Sequence, residues 1–159
     1  MTQKIRPFLW FDGNAEEAVN FYLSVFPDAR LGEVSRYGEG MPMPAGTVLV
    51  ANFTLFGQEF GAINAGPEFK FTEAISFMID CKDQAEVDYY WDKLTADGGE
   101  PSQCGWLKDK YGLSWQVVPS ALGELMTDPD PAKANRVTQA LMQMSKIDVA
   151  KLEAARDGA

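Results

Sequence analysis

Residues 8–26 read FLWFDGNAEEAVNFYLSVF, and residues 76–94 read SFMIDCKDQAEVDYYWDKL. Each stretch is an apolar run, a turn at an aspartate and then apolar positions at helical spacing, which predicts a strand followed by a helix. Laid over each other at an offset of 68, the two copies match at several positions: Asp12 with Asp80, Val19 with Val87, and Tyr22 with Tyr90. The alternative is chance similarity between two strand–helix units, but periodicity alone does not dictate a matched aspartate and tyrosine.

A second, weaker repeat places Gly57-Gln58-Glu59-Phe60 over Gly112-Leu113-Ser114-Trp115 at an offset of 55. The sequence thus predicts an α+β fold built of two related βαβββ-type halves. Asn14, with Glu17 three residues on, is expected to cap the first helix. Asp130, followed by Pro131 at the first helical position, is expected to cap the helix that begins at residue 131. Strands are predicted at residues 5–11, 31–37, 47–56, 59–64, 73–80, 101–107 and 113–119, and helices at residues 15–26, 83–96, 120–126, 147–156 and from 131 onward.

The chain has 159 residues and a formal net charge of -9. That charge disfavours nucleic acid and anionic membranes as partners, since both need a basic footprint. No apolar run approaches the ~20 residues that cross a bilayer, and the N-terminus has no secretory apolar region. The two cysteines, Cys81 and Cys104, are expected to be free thiols. We therefore expect a cytoplasmic protein.

The sequence contains no histidine. This excludes Ser-His-Asp and Cys-His catalysis, histidine bases and imidazole metal ligands. Gly38-Glu39-Gly40 precedes no helix start, so it is not a phosphate-binding loop. No glycine-rich turn follows the first strand, as a Rossmann-type methyltransferase would need for S-adenosylmethionine.

Three longer stretches carry a resemblance to a known family: residues 5–29 (IRPFLWFDGNAEEAVNFYLSVFPDA), 104–119 (CGWLKDKYGLSWQVVP) and 128–152 (DPDPAKANRVTQALMQMSKIDVAKL). They resemble the PhnB-like proteins, also labelled 3-demethylubiquinone methyltransferase-like, of the vicinal-oxygen-chelate (glyoxalase/bleomycin-resistance) superfamily. The resemblance implies one domain over residues 1–159, with module one at 1–67, module two at 73–119 and a C-terminal helical extension at 120–159. It also implies a curved, partly closed mixed sheet with helices on its convex face, a ligand cavity on its concave face, and a homodimer.

In that superfamily four strand positions hold a divalent metal, and by the resemblance they fall at about Pro7, Gly61, Ile75 and Gln116. Gln116 alone offers a side-chain oxygen, and one amide does not make a site for a hard cation. We therefore expect no metal and no other cofactor. A register error of one or two residues would place Glu59 or Glu73 at a metal position. Two carboxylates and one amide would still be few ligands for a divalent metal.

Strand alternation from those positions predicts the wall of the cavity. Leu9 and Phe11 would face inward with Pro7, and Phe77 and Ile79 with Ile75. Glu59 and Ile63 would go with Gly61, and Ser114 and Val118 with Gln116. The opposite set, which includes Phe8, Trp10, Trp115 and Val117, would pack under the helices. The candidate ligand-binding residues are Phe11, Arg36, Glu59, Phe77, Trp106 and Gln116.

Each candidate has a plainer alternative. Glu59 could be a solvated edge charge, Arg36 a surface ion pair and Trp106 a core residue. Cys104 is more often structural than nucleophilic, because no histidine is present to activate it.

Two functions of different kind remain open. One is a protein that binds a small apolar or aromatic ligand in a metal-free cavity. The alternative is a superfamily enzyme of lyase, isomerase or dioxygenase type. A cavity that has lost its function, with the C-terminal helices serving assembly, is a third possibility.

Overall fold

The structure is a computed structural model that describes residues 3–159. The chain forms two compact units, one ending at Phe71 and the other beginning at Thr72. Each unit holds a four-stranded mixed sheet with helices, and neither sheet closes into a barrel. The predicted α+β fold of two βαβββ modules is confirmed.

The first unit follows the predicted order of strand, helix and three strands. Its sheet has the strand order β1-β4-β3-β2, with β1 parallel to β4 and the other pairs antiparallel. The elements are β1 (Phe8–Phe11), α1 (Ala15–Val25), β2 (Arg30–Arg36), β3 (Val48–Leu55) and β4 (Gln58–Asn64).

Aromatic stacking joins α1 to this sheet. The ring of Tyr22 on α1 stacks on Phe53 of β3, with ring centroids 6.1 Å apart. Phe53 in turn stacks on its direct partner Phe60 of β4 at 5.3 Å. All three side chains are at most 5% exposed, so this column is the centre of the first core.

The predicted cap of α1 by Asn14 is wrong. Asn14 makes no side-chain capping bond. Instead the first helical amide, that of Ala15, donates to Oδ1 of Asn64 at the end of β4, 3.0 Å away. Asn64 is fully buried, and its Nδ2 donates to the carbonyl of Val48 at 2.9 Å. The buried amide thus ties the helix start to the sheet, which no local pattern reveals.

The second unit repeats the order and adds three helices. Its sheet has the order β5-β8-β7-β6, with β5 parallel to β8. A 3-10 turn at Ala96–Gly98 follows α2. The elements are β5 (Ser76–Cys81), α2 (Gln84–Thr95), β6 (Glu100–Pro101), β7 (Trp106–Lys108), β8 (Ser114–Pro119), α3 (Ala121–Met126), α4 (Pro131–Leu141) and α5 (Val149–Arg156).

The strand predicted over residues 101–107 is interrupted. Cys104 and Gly105 adopt left-handed backbone angles, with φ of 59° and 86°. These angles cannot continue a pleated strand, so β6 ends at Pro101 and β7 starts at Trp106.

The three C-terminal helices share a small apolar core, formed by Leu125, Val137, Leu141, Ile147 and Leu152. Asp130 caps α4 through a bond from the Ala132 amide, and Pro131 occupies the first turn, as predicted. Within residues 3–159, no helix is long and apolar enough to cross a membrane.

Candidate functional site

Each sheet has one face covered by the long helix of its own unit and one face opposite that helix. In the first unit, Phe53, Phe60 and Asn64 lie on the α1 side, because Phe53 stacks on Tyr22 and Asn64 binds Ala15. Side chains alternate along a strand. The face opposite α1 therefore carries Asn52, Thr54, Glu59 and Gly61.

Phe11 does not lie on the face opposite α1. It is the direct partner of Asn64 in the parallel pairing of β1 with β4, so it shares the α1 side. Its side chain is 4% exposed and makes an edge contact with Phe71, with centroids 5.4 Å apart. Leu9, also predicted to face the cavity, is buried on the same side.

The register prediction for the first strand was therefore off by one residue. Phe8 and Trp10, predicted to pack under a helix, are on the face opposite α1. A shift of one residue moves every side chain to the other face.

The same correction applies to Phe77 on β5. It is the direct partner of Trp115 and touches its ring, with centroids 5.7 Å apart. Helix α2 packs against β8, in which Trp115 and Val117 are buried and the alternate residues Gln116 and Val118 are only partly buried, so Trp115 and Val117 lie on the α2 side, as predicted. Phe77 and Ile79 therefore belong to that side, whereas Ser76 and Met78 lie on the face opposite α2.

A cavity of about 260 Å³ lies on the face of the first sheet opposite α1. Its polar lining comes from three strands and the residues before β1. Gly32 stands at a break in the pairing of β2 with β3, and a Cβ there would approach the Asn52 carbonyl oxygen to 3.1 Å. The lining residues are Arg6, Gly32, Glu33, Asn52, Phe53, Thr54, Glu59 and Phe60.

Several polar groups of this cavity have no partner in the part of the chain that the structure describes. The Oδ1 atom of Asn52 is buried and has no hydrogen-bond partner within the described part of the chain. Arg6, Glu33 and Glu59 make no ion pair within 4.0 Å among residues 3–159. A buried carbonyl oxygen needs a donor, and unpaired charges at a cavity favour a ligand of complementary charge.

Of the sequence candidates, Glu59 alone lines this cavity. Its backbone is held by the side chain of Gln3, which accepts from the Glu59 amide at 2.9 Å and donates to the Glu59 carbonyl at 3.1 Å. Sequence reasoning missed Arg6, Glu33 and Asn52. The signal for Asn52 was present, since it is a polar residue within the apolar run of residues 47–56.

Arg36 lies elsewhere, at the α1 side of β2. Its guanidinium pairs with Glu16 of α1 at 2.9 Å and donates to the Gly46 carbonyl at the same distance. Both side chains of the pair are half exposed. Arg36 therefore forms a surface ion pair, which is the alternative that the sequence analysis gives for this residue.

In the second unit, Trp106 and Gln116 are direct partners on β7 and β8, so they share the face opposite α2. The Gln116 amide donates to the Ser76 hydroxyl at 2.9 Å. On the same face the Ser114 hydroxyl is buried and has no hydrogen-bond partner among residues 3–159. The structure thus brings together two of the predicted residues.

Lys108, also on this face, forms ion pairs with two neighbouring carboxylates. Its Nζ lies 2.9 Å from Glu73 and 3.4 Å from Glu100. Hydrogen bonding to Glu73, and then to Glu100, raises the pKa of Lys108, and Lys108 lowers the pKa of Glu73.

The residues at the four positions that the resemblance assigns to a metal do not fit a divalent ion. A Cβ on Gly61 would lie 2.2 Å from the ring of Phe8, so that ring fills the space a ligand side chain would use. The side-chain amide of Gln116 donates a hydrogen bond to the Ser76 hydroxyl. Within the described residues, no three His, Cys, Asp or Glu side chains cluster as metal ligands.

The repeat itself needs a correction in its second part. Phe8 is paired with Gly61, and its counterpart at offset 68, Ser76, is paired with Ser114. The equivalent of Gly61 is therefore Ser114 rather than Gln116, an offset of 53 instead of 55.

Comparison with known proteins identifies the family to which this chain belongs. The family model described as 3-demethylubiquinone-9 3-methyltransferase matches residues 3–118. The PhnB protein of Bacillus cereus is 42% identical, with a TM-score of 0.69 over 74% of this chain and 100% of that one. The chain belongs to this PhnB-like family.

More distant structures share the fold alone. A protein of Pseudomonas aeruginosa is 21% identical, covers 74% of this chain and 98% of its own, and has a TM-score of 0.61. The fosfomycin resistance protein FosX of Listeria monocytogenes, solved with Mn(II) and sulfate, is 16% identical and has a TM-score of 0.52. That match covers 78% of this chain and 94% of FosX. None of the curated proteins matches this chain.

Proposed function

We propose that the protein binds a small organic molecule, without a divalent metal, on the face of the first sheet opposite α1. The observation that carries the proposal is the cavity of about 260 Å³, lined by Arg6, Glu33 and Glu59, which make no ion pair among residues 3–159. Small-molecule sites are concave and combine apolar walls with a few polar groups that orient the ligand.

The ligand has an apolar or aromatic body and at least one polar group. The ring of Phe8 is 50% exposed on the same face of the sheet, which favours contact with an aromatic or aliphatic body. Asn52 and Glu59 favour a hydrogen-bond donor on the ligand, and Arg6 favours an anionic group.

We propose a second candidate binding surface in the second unit, formed by Trp106, Gln116 and Ser114. The Ser114 hydroxyl supports it, because it is buried without a hydrogen-bond partner among residues 3–159 and lies on the same face of the sheet as Trp106. Neither proposed binding surface includes Phe11, Phe77 or Arg36. The first two lie on the helix-covered faces of their sheets, and Arg36 is paired with Glu16.

An enzyme of lyase, isomerase or dioxygenase type is the second candidate function, and the observation that favours it is a carboxylate in the cavity. Glu59 would act as a general base toward a ligand proton. A methyltransferase finds no support, since the sequence has no glycine-rich S-adenosylmethionine turn.

Native mass spectrometry of gently purified protein tests the binding proposal, with the denatured mass as reference. We expect a homodimer that carries an organic adduct or that takes up one of three added probes: benzoate, phenethylamine or phenylalanine. The Glu59→Gln variant should weaken about tenfold the uptake of a molecule that carries an ammonium group, such as phenethylamine or phenylalanine, as loss of a charged hydrogen bond does. The matched Glu39→Gln variant, in an exposed loop, should not.

Added Mn²⁺ is the counter-test. Uptake of one Mn²⁺ per subunit that is lost in Glu59→Gln would overturn the metal-free proposal. Absence of any adduct and of uptake of all three probes would overturn binding at this cavity.

A further inference from the structure

The connection between α4 and α5 runs alongside the interrupted segment of the second sheet. The Cys104 amide donates to the Met144 carbonyl and the Gly105 amide to the Ser145 carbonyl, both at 2.8 Å. The Ser145 hydroxyl donates to the Ser102 carbonyl at 2.6 Å. Three hydrogen bonds therefore hold the backbone before β7 against this connection.

Side-chain packing reinforces those bonds at Gly105. A Cβ there would lie 2.7 Å from Cδ1 of Ile147 and 2.9 Å from the Val117 carbonyl oxygen. The backbone of Gly105 also has φ of 86°, which favours glycine. Ile147 is fully buried, so its side chain closes the space above Gly105.

The connection is in turn anchored to α2. The Gln84 side chain donates to the Ile147 carbonyl at 3.0 Å and accepts from the Val149 amide at 2.8 Å. Lys146 pairs with Asp88 at 2.8 Å. The connection is thus anchored to α2 on one side, and on its other side it contacts the segment that contains Cys104 and Gly105.

Trp106 follows this loop directly. The Val117 amide donates to the Gly105 carbonyl at 2.8 Å, and the Ser102 amide donates to the Trp106 carbonyl at 2.9 Å. Both carbonyls are at the start of β7. The connection between α4 and α5, which holds the backbone directly before Trp106, therefore also sets the position and direction of the Trp106 side chain.

We propose that the C-terminal extension, through Ile147 and Ser145, positions Trp106 on the face of the second sheet opposite α2. The residues matched by the family end at 118, so this positioning element lies wholly beyond the family match. The use of Trp106 in ligand contact rests on the proposed function, but the positioning itself does not.

The test compares Ile147→Ala with Leu152→Ala in ligand-free protein. Both side chains are fully buried in the same apolar cluster and lose similar volume, but of the two Ile147 lies against Gly105. Amide hydrogen exchange at Cys104 and Gly105 should rise about tenfold more in Ile147→Ala than in Leu152→Ala. In protein labelled with 5-fluorotryptophan, the Trp106 resonance, assigned with Trp106→Phe, should shift in the first variant alone.

Equal exchange and equal resonances in the two variants would overturn the positioning role. If Ile147→Ala does not fold, Ser145→Ala decides the question, because it removes one exposed hydrogen bond. It should shift the Trp106 resonance, whereas Thr138→Ala, which removes a hydroxyl bond within α4, should leave it unchanged. Since no ligand is added, failure here is distinct from failure of ligand binding.

Discussion

The ring of Phe8 lies where a side chain at position 61 would be. An ideal Cβ on Gly61 would stand 2.2 Å from Cε1 of Phe8, and the two residues are direct partners in the pairing of β1 with β4. The absence of a side chain at 61 thus permits an aromatic ring to lie flat on the sheet. The cavity that contains Glu59 lies on the same face.

Gly61→Ala should therefore depend on Phe8. In the wild-type background the new methyl group displaces the ring, and we expect a loss of roughly 1 kcal/mol in the free energy of unfolding. In a Phe8→Ala background the same change should stabilise by about 0.5–1 kcal/mol, because glycine is costly within a strand. Urea denaturation of the four proteins gives the coupling, and additive effects would contradict the packing described.

Asn64 should matter far more than Asn14, although both stand near the start of α1. Asn64→Asp keeps an acceptor for the Ala15 amide but sets a carboxylate oxygen against the Val48 carbonyl, so we expect a loss of about 2–3 kcal/mol. Asn14→Ala should change stability by less than about 0.5 kcal/mol, since its side chain makes no cap bond. Thermal unfolding of both variants checks this, and equal losses would contradict it.

Asp109 organises the turn between β7 and β8. Its Oδ1 accepts from the Tyr111 and Leu113 amides at 2.9 and 3.1 Å, and its Oδ2 accepts from the Trp115 indole at 2.9 Å. Asp109→Asn would turn an NH₂ donor toward one of these donors, for an expected loss of about 2–3 kcal/mol.

The control for Asp109 is Asp97→Asn. Asp97 is exposed and has φ of 53°, a conformation that asparagine tolerates well. Urea denaturation should show almost no change for it. If Asp109→Asn were equally harmless, the turn would not depend on this carboxylate.

Stability should fall at alkaline pH because of two buried groups. Burial, with a contribution from Glu86, raises the pKa of the Cys81 thiol to about 12, and the same causes raise the pKa of Tyr90 to about 12. The thiol's ordinary value is 9.0. Between these values the unfolded chain loses a proton that the folded protein keeps, so stability is complete below pH 9 and is lost as the pH rises toward 12.

The measurement is urea denaturation at about pH 8 and pH 10. We expect the wild type to lose roughly 1 kcal/mol more than Cys81→Ala over this interval, because the variant lacks the thiol. An equal pH dependence of the two proteins would show that Cys81 does not contribute. In native protein at pH 8, the thiol should also resist alkylation, since it is fully buried.

Local patterns predicted the elements well and their ends less well. The helical spacing of residues 15–26 predicted α1, and the Asp130-Pro131 pair predicted the start of α4. The strand over residues 101–107 failed, because the loop at Cys104 and Gly105 is held by Met144 and Ser145, some 40 residues away in the chain. A contact at that separation leaves no periodic signal in the strand itself.

The candidate site was predicted less completely. Glu59, Trp106 and Gln116 lie on faces opposite the helices, as expected, but Phe11 and Phe77 do not. The two wrong face predictions have the same cause. Strand alternation assigns faces only after one residue of the strand has been placed, and the residues first placed in β1 and β5 were one position off.

The sequence by itself determined the duplicated βαβββ order, the family and the lack of imidazole chemistry, because these depend on residue type and spacing along the chain. Tertiary structure alone decided which residues share a face, how Asn64 caps α1 and how Ile147 reaches Gly105. Strand register and long-range packing set those relations, and both are settled by the fit of side chains that are distant in sequence.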